Sequence, residues 1–212
     1  MRHIALTVLL CLALSGSAYS DVISLWNFND DDLLSVDRGS GFMTTDFSSI
    51  SSTSGTSLNV RDGDPAGQAL RLAGTANNGG SLTWMVNTEG FDTITVSFAG
   101  IRTSTGFNNN EFMYTLDSGV SWTNFATYDP GTAFTLQAFD LGGIPALNNN
   151  PYAGFRIVFW GATSSSGNNR IDNLVVSGEQ MSLPPAPVPE PSTIVLTAAG
   201  MVGLFLRLRR HQ

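Results

Sequence analysis

Lysine is absent from this chain, cysteine occurs once and histidine twice. The cysteine is Cys11 and the histidines are His3 and His211, all in the terminal segments. Everything between residues 21 and 182 therefore lacks all three. That excludes a disulfide framework, a zinc site built on cysteine or histidine, and nucleophilic catalysis by Cys–His or Ser–His–Asp machinery. Charge is scarce as well: 13% of the 212 residues are charged, with a formal net charge of −7. Of the ten basic residues, Arg2, Arg207, Arg209 and Arg210 sit at the ends. The body is thus more acidic than the total suggests. Such a surface repels a phosphate backbone, which excludes nucleic acid as a partner. What remains is long enough, and aromatic enough, to bury the core of one domain.

Both ends read as addresses. Arg2 and His3 precede an apolar run from Ile4 to Leu14, and Ser15-Gly16-Ser17-Ala18-Tyr19-Ser20 supplies the small residues of a cleavage region. The run is shorter than the roughly 20 residues that span a bilayer, so residues 1–20 read as a signal peptide. The Sec machinery and signal peptidase are the implied partners, with cleavage after Ser20, or after Ala18. Cys11 lies inside the apolar run behind Leu10, which argues against a lipoprotein. At the other end, residues 183–191 are proline-rich and form an extended spacer. Residues 192–206 are apolar throughout and read as a transmembrane helix, and residues 207–212 carry a basic cluster that stays cytoplasmic, leaving the body outside.

Val188-Pro189-Glu190-Pro191-Ser192, the apolar segment and the cluster Arg207, Arg209 and Arg210 follow one another in order at the C-terminus. Together they resemble the PEP-CTERM sorting signal of exported proteins in Gram-negative bacteria that make extracellular polysaccharide. The resemblance implies recognition by an exosortase, a membrane-embedded protease, and sorting through a transient inner-membrane anchor to the cell surface or matrix. It implies no particular activity.

The body, residues 21–182, shows no amphipathic helix. Short alternating runs recur, bounded by Gly, Asn, Ser and Asp. Strands are expected at Val22–Phe28, Ala69–Ala73, Ser81–Val86, Thr93–Ala99, Glu111–Leu116, Ala133–Phe139, Gly154–Trp160 and Ile171–Ser177. The Ser/Thr/Gly-rich stretch from Ser48 to Leu58 reads as a long loop. In Thr93–Ala99, Ile94, Val96 and Phe98 alternate with polar residues, the pattern of a sheet buried on one face. About eight strands without helical crossovers predict an all-β, antiparallel, jelly-roll-like sandwich.

Thr115-Leu116-Asp117-Ser118-Gly119-Val120-Ser121-Trp122 resembles the Asp-box of sialidases and other secreted β-proteins, with Ser121 in place of the usual threonine. Asp117 would accept turn amides, Gly119 would take a positive φ and Trp122 would pack beneath the hairpin, a structural role. Leu25-Trp26-Asn27-Phe28-Asn29 and Arg170-Ile171-Asp172-Asn173-Leu174 are similar to the first and last strands of PEP-CTERM proteins with a jelly-roll or concanavalin-like body. Related jelly rolls include carbohydrate-binding modules, some with a structural calcium ion. That resemblance makes Asp172, Asn27 and Asn29 candidate calcium ligands; capping of turns is the alternative role for all three. No other cofactor is expected.

A sugar site needs aromatic faces for C–H surfaces and amides, carboxylates or arginine for hydroxyls. Trp26 and Trp84 share strand faces with apolar neighbours and belong to the core. Trp160 shares a face with Arg156, opposite Phe155, Ile157 and Phe159, and this pair is the candidate ligand platform. The Asn-rich segments 108–110 and 148–152 could form its rim, or simply turn the chain. Catalysis would have to rest on a carboxylate pair, as in glycosidases. Glu111, Asp117 and Asp140 show no spacing that pairs two in a cleft, and Arg102 and Glu111 could form an ion pair across one loop. The expectation is a non-enzymatic surface or matrix protein that binds polysaccharide. A hydrolase or lyase acting on the same polymer, and a subunit that self-assembles, are the alternatives.

Overall fold

The computed structural model describes residues 20–182. The expected signal peptide, residues 1–20, lies outside the described residues except for Ser20, as do the proline-rich spacer, the apolar segment and the basic tail. Among the described residues no helix is long and apolar enough to cross a membrane.

Twelve strands run in order among the described residues: β1 (Ser20–Trp26), β2 (Arg38–Gly39), β3 (Phe42–Thr45), β4 (Ile50–Ser54), β5 (Gln68–Ala73), β6 (Ser81–Met85), β7 (Phe91–Arg102), β8 (Asn109–Thr115), β9 (Thr123–Tyr128), β10 (Thr135–Asp140), β11 (Gly154–Trp160) and β12 (Asn168–Gln180). All pairings are antiparallel. One sheet has the order β10-β7-β12-β1-β2, with β5 joining β12 beyond the point where β1 leaves it, and β4 on β5. The other has the order β3-β6-β11-β8-β9. The two close face to face as the antiparallel sandwich the alternation predicts.

The core lies between the sheets. Trp26, Leu70, Leu72, Val96, Phe98 and Leu174 come from the seven-stranded sheet, and Leu82, Trp84, Phe112, Phe155, Ile157 and Phe159 from the five-stranded one. Phe112 stacks on Phe139 at 4.0 Å between centroids and on Phe155 at 6.0 Å.

Several elements differ from expectation, each for a physical reason. The Ser48–Leu58 stretch is not all loop: Ile50–Ser54 forms edge strand β4 against β5. One apolar residue, Ile50, packs on the core, and the serines suit an exposed edge. β2, β3 and β9 are further strands that the alternation did not announce. The last strand extends beyond Ile171–Ser177 at both ends: Glu179 and Gln180 pair with β7 at one end, and at the other buried Asn169 finds polar partners inside. Its amide donates to Phe107 O and Asn110 Oδ1, and its Oδ1 accepts the Phe107 amide.

The outer face of the seven-stranded sheet is roofed by the β4–β5 connection. Leu25, Ala69, Ala99 and Val175 are buried there although they lie outside the central core. A bulge in β12 at Asp172–Asn173, where Asn173 has φ 49°, anchors the roof. Asn173 Nδ2 donates to Thr56 O and Leu58 O, while Asn59 Nδ2 donates to Asn173 O at 2.7 Å.

Candidate functional site

Strand β11 sets the geometry of the site. Phe155, Ile157 and Phe159 are buried, so Arg156, Val158 and Trp160 emerge on the outer face of the five-stranded sheet. Cross-strand register surrounds them: Arg156 lies between Thr83 of β6 and Met113 of β8, Val158 between Ser81 and Glu111, and Trp160 beside Asn109. Gly154, at the start of the strand, lies between Met85 and Thr115. At about 3.3 Å per residue, Gly154 to Trp160 makes a face about 20 Å long.

Trp160 is 42% exposed but fixed. Its indole lies against Gly79, whose φ is +87° and where a Cβ would fall 2.7 Å from Trp160 Cη2. The Gly79 amide donates to Phe159 O at 2.8 Å, and the Ala162 amide to Asn78 Oδ1 at 2.9 Å, tying the turn to the end of β11. Only glycine admits both this backbone conformation and the ring that lies against it.

Arg156 does not project freely. Its Cζ lies 4.5 Å from the centre of the Trp122 ring, a cation–π contact, and its Nε and Nη2 each lie 3.4 Å from Met113 Sδ. Burial lowers its pKa, opposed by Asp46 and Glu111. Among the described residues it has no carboxylate within ion-pair distance; the ion pairs are Arg38–Asp62 and Arg102–Asp129. The expected Arg102–Glu111 pair does not form: Arg102 Nε and Nη2 grip Asp129 at 2.6 and 2.7 Å.

The Asp117–Trp122 turn delivers Trp122 to Arg156. Asp117 Oδ1 accepts the Ser121 amide at 2.9 Å and the Thr115 hydroxyl at 2.6 Å, and Oδ2 accepts the Ser121 hydroxyl at 2.6 Å. Those hydroxyls, Ser121 first, hold the Asp117 carboxyl down to about 2. Gly119 takes φ +87°, and Trp122 Nε1 donates to Gly119 O at 3.1 Å. The turn has the local bonding expected of it, but Trp122 lies half-buried on the outer face of the sheet, stacked on Arg156.

The Asn-rich segments mainly serve the backbone. Asn110 donates to Phe107 O and Tyr128 O, Asn149 accepts the Gly90 amide, and Asn150 bonds Leu116 O, Ala146 O and the Tyr152 amide. Near the Met85 end, a hollow of about 560 Å³ is lined by Phe42, Met85, Ser118 and Pro151 among others.

Asp172 and Asn29 flank one segment, the Gly55–Thr56 and Gly67–Gln68 backbone. Asp172 accepts the Thr56 and Asn173 amides at 2.6 and 2.9 Å, and Asn29 Oδ1 accepts the Gln68 amide at 2.7 Å. Asn27 Oδ1 accepts the Asn29 amide. These oxygens are spent on turns, and among the described residues no three acidic, cysteine or histidine side chains group to hold a metal. Calcium takes six to eight oxygens, backbone carbonyls included, of which these three side chains would supply a part. Burial raises the Asp172 carboxyl to about 7, against the pull of the two amides. Glu111, Asp117 and Asp140 sit on separate elements.

Residues 187–210 match the sequence profile of the PEP-CTERM protein-sorting motif. The chain carries a PEP-CTERM sorting motif. That motif indicates export and anchoring through the C-terminus, and implies processing by an exosortase. No curated protein matches this chain in sequence. Among solved structures, its body is similar to the CBM22-1–CBM22-2 tandem domain from Paenibacillus barcinonensis, with TM-score 0.50, 10% identity, and coverage of 82% of this chain and 50% of that one. Others are the single CBM22-1 xylan-binding domain of the same organism and the Clostridium thermocellum CBM22-1–GH10 xylanase modules complexed with xylohexaose. The first has TM-score 0.49, 8% identity, and covers 79% of this chain and 100% of that one. The second has TM-score 0.46, 11% identity, and covers 80% of this chain and 30% of that one. The chain thus spans less than a third of that xylanase chain. At these identities the likeness is one of fold: a carbohydrate-binding-module-like jelly roll.

Proposed function

We propose that the chain is a non-enzymatic cell-surface or matrix protein that binds extracellular polysaccharide along the outer face of its five-stranded sheet. One observation carries this reading: β11 presents a 42%-exposed Trp160 in line with Arg156, which is stacked on Trp122 and unpaired with any carboxylate among the described residues. Aromatic faces take the C–H surfaces of sugars, and the guanidinium edge donates to hydroxyls. The face is about 20 Å long, which suits an extended polymer more than a single sugar. The fold likeness to a carbohydrate-binding module tandem supports the class of ligand, and the PEP-CTERM motif supports the place where such a polymer is met.

Affinity electrophoresis of the full chain, solubilised in a detergent without a sugar head group, tests the reading. Gels would contain the producer's own exopolysaccharide, xylan or a β-glucan. Retardation by at least one polymer, without any shortening of it, is the expected result. Shortened polymer would point to a hydrolase or lyase, and free migration in every gel would sink the proposal.

A further inference from the structure

The seven-stranded sheet holds a second chemical feature, away from the face just described. Arg71 of β5 and Arg170 of β12 are direct register partners. Their strand neighbours Leu70, Leu72 and Ile171 belong to the core, so both arginines leave from the opposite, outer face. Residues paired this way have Cβ atoms about 4.5–5.5 Å apart, and like charges there are destabilising. Among the described residues nothing offsets them. Neither has a carboxylate within ion-pair distance, Arg170 makes no side-chain hydrogen bond, and Arg71 reaches only Ser166 O, at 3.5 Å. Asp172, two residues along β12 on the same face, is fully buried with both oxygens occupied by amides.

The surroundings are concave. Arg170 borders a cavity of about 440 Å³ together with Ile101, Arg102, Thr103, Ser104 and Thr132. Arg102 in that wall is already neutralised by Asp129, so the uncompensated charge belongs to Arg170 and Arg71. Carboxylates far outnumber arginines between residues 21 and 182, yet none pairs with either of these two. Two adjacent unpaired guanidiniums in so acidic a chain have one evident complement, an oxyanion that both forks can grip.

We propose that Arg71 and Arg170 form an oxyanion site for the carboxylate or sulfate-ester group of a sparsely charged polysaccharide. Sparse charge follows from the rest of the surface. At physiological ionic strength the Debye length is about 8 Å, so a single anionic group at the arginines is screened from the distant acids, whereas a dense polyanion meets them at contact. This site lies on the other sheet from Trp160 and does not depend on that platform binding anything.

The test is affinity electrophoresis of the full chain in gels containing hyaluronan, in which carboxylated and neutral sugars alternate, lightly substituted dextran sulfate, or uncharged dextran. Retardation by one or both charged polymers beyond that in dextran is expected, weakening as salt rises; which gel retards distinguishes carboxylate from sulfate. The double variant R71Q/R170Q should migrate as it does in dextran, while Trp160→Ala keeps the charged-polymer retardation. A melting temperature for R71Q/R170Q at or above wild type shows that the loss is not unfolding, since removing opposed like charges relieves strain. Wild type migrating alike in all three gels overturns the proposal, as does a double variant retarded as strongly as wild type.

Discussion

Two tryptophans, Trp26 and Trp84, are both fully buried and offer a matched comparison. Trp26 Nε1 donates to Leu34 O at 3.2 Å. Trp84 Nε1 is buried with no partner among the described residues, its ring set between Phe112 and Phe155 at 6.3 and 6.1 Å. Replacing either by phenylalanine removes the same atoms, so the transfer part of the loss is common to both. The polar term does not cancel. Trp26→Phe gives up a hydrogen bond worth about 0.5–1.5 kcal/mol, while Trp84→Phe removes a buried unsatisfied donor that costs about 1–3 kcal/mol. Trp26→Phe should therefore be the less stable variant by about 1.5–4.5 kcal/mol. In a domain of this size that is about 3–18 °C in Tm. Urea and thermal denaturation of the two variants, followed by circular dichroism, measure the difference. Equal Tm values, or a more stable Trp26→Phe, would refute the assignment of the unsatisfied indole.

Three further outcomes follow from the carboxylates. Asp172 has its pKa raised to about 7 by burial, against about 3.9 unfolded, so the folded state keeps a proton that the unfolded chain releases between those values. Stability should fall as pH rises from about 4 to 7, by at most about 1.4 kcal/mol per pH unit, and Asp172→Asn should flatten that slope in urea titrations run in EDTA. Because Asn27, Asn29 and Asp172 spend their oxygens on backbone amides, the Tm should be the same in EDTA as in calcium; a clear rise with calcium would contradict this. Asp117 is held down to about 2 by its hydroxyl partners, so its contribution is present above about pH 4 and lost as pH falls toward 2. Asp117→Asn should lower the Tm at pH 7 and blunt that acid-side loss; an unchanged acid limb would count against the turn's role.

The two sides of β11 were legible because period-2 alternation is a local signal: Phe155, Ile157 and Phe159 inside, Arg156 and Trp160 outside. The burial of Trp26 and Trp84 followed from the same rule. β4 was missed because an edge strand needs only one buried residue, and Ile50 alone does not make a pattern. The start of β12 was missed because Asn169 is buried by virtue of partners some sixty positions away, which no local window contains. Pairings across the sheets were equally hidden. Arg102 chose Asp129 rather than Glu111, and Arg71 met Arg170, because register depends on which strands become neighbours. Trp122 was readable as part of a turn, but its place on Arg156 depends on β9 and β11 flanking β8 in the same sheet.

The central claim is that polymer binds the outer face of the five-stranded sheet. Isothermal calorimetry of the full chain with the polymer that retards it most, comparing wild type, Trp160→Ala and Leu136→Ala, tests that claim most directly. Leu136 is the control, an exposed apolar residue on β10 of the opposite sheet. Loss of a sugar-stacking indole should weaken association about tenfold or more, a cost of at least about 1.4 kcal/mol, while Leu136→Ala leaves it unchanged. Equal affinity in all three proteins, or a loss confined to Leu136→Ala, would contradict the account.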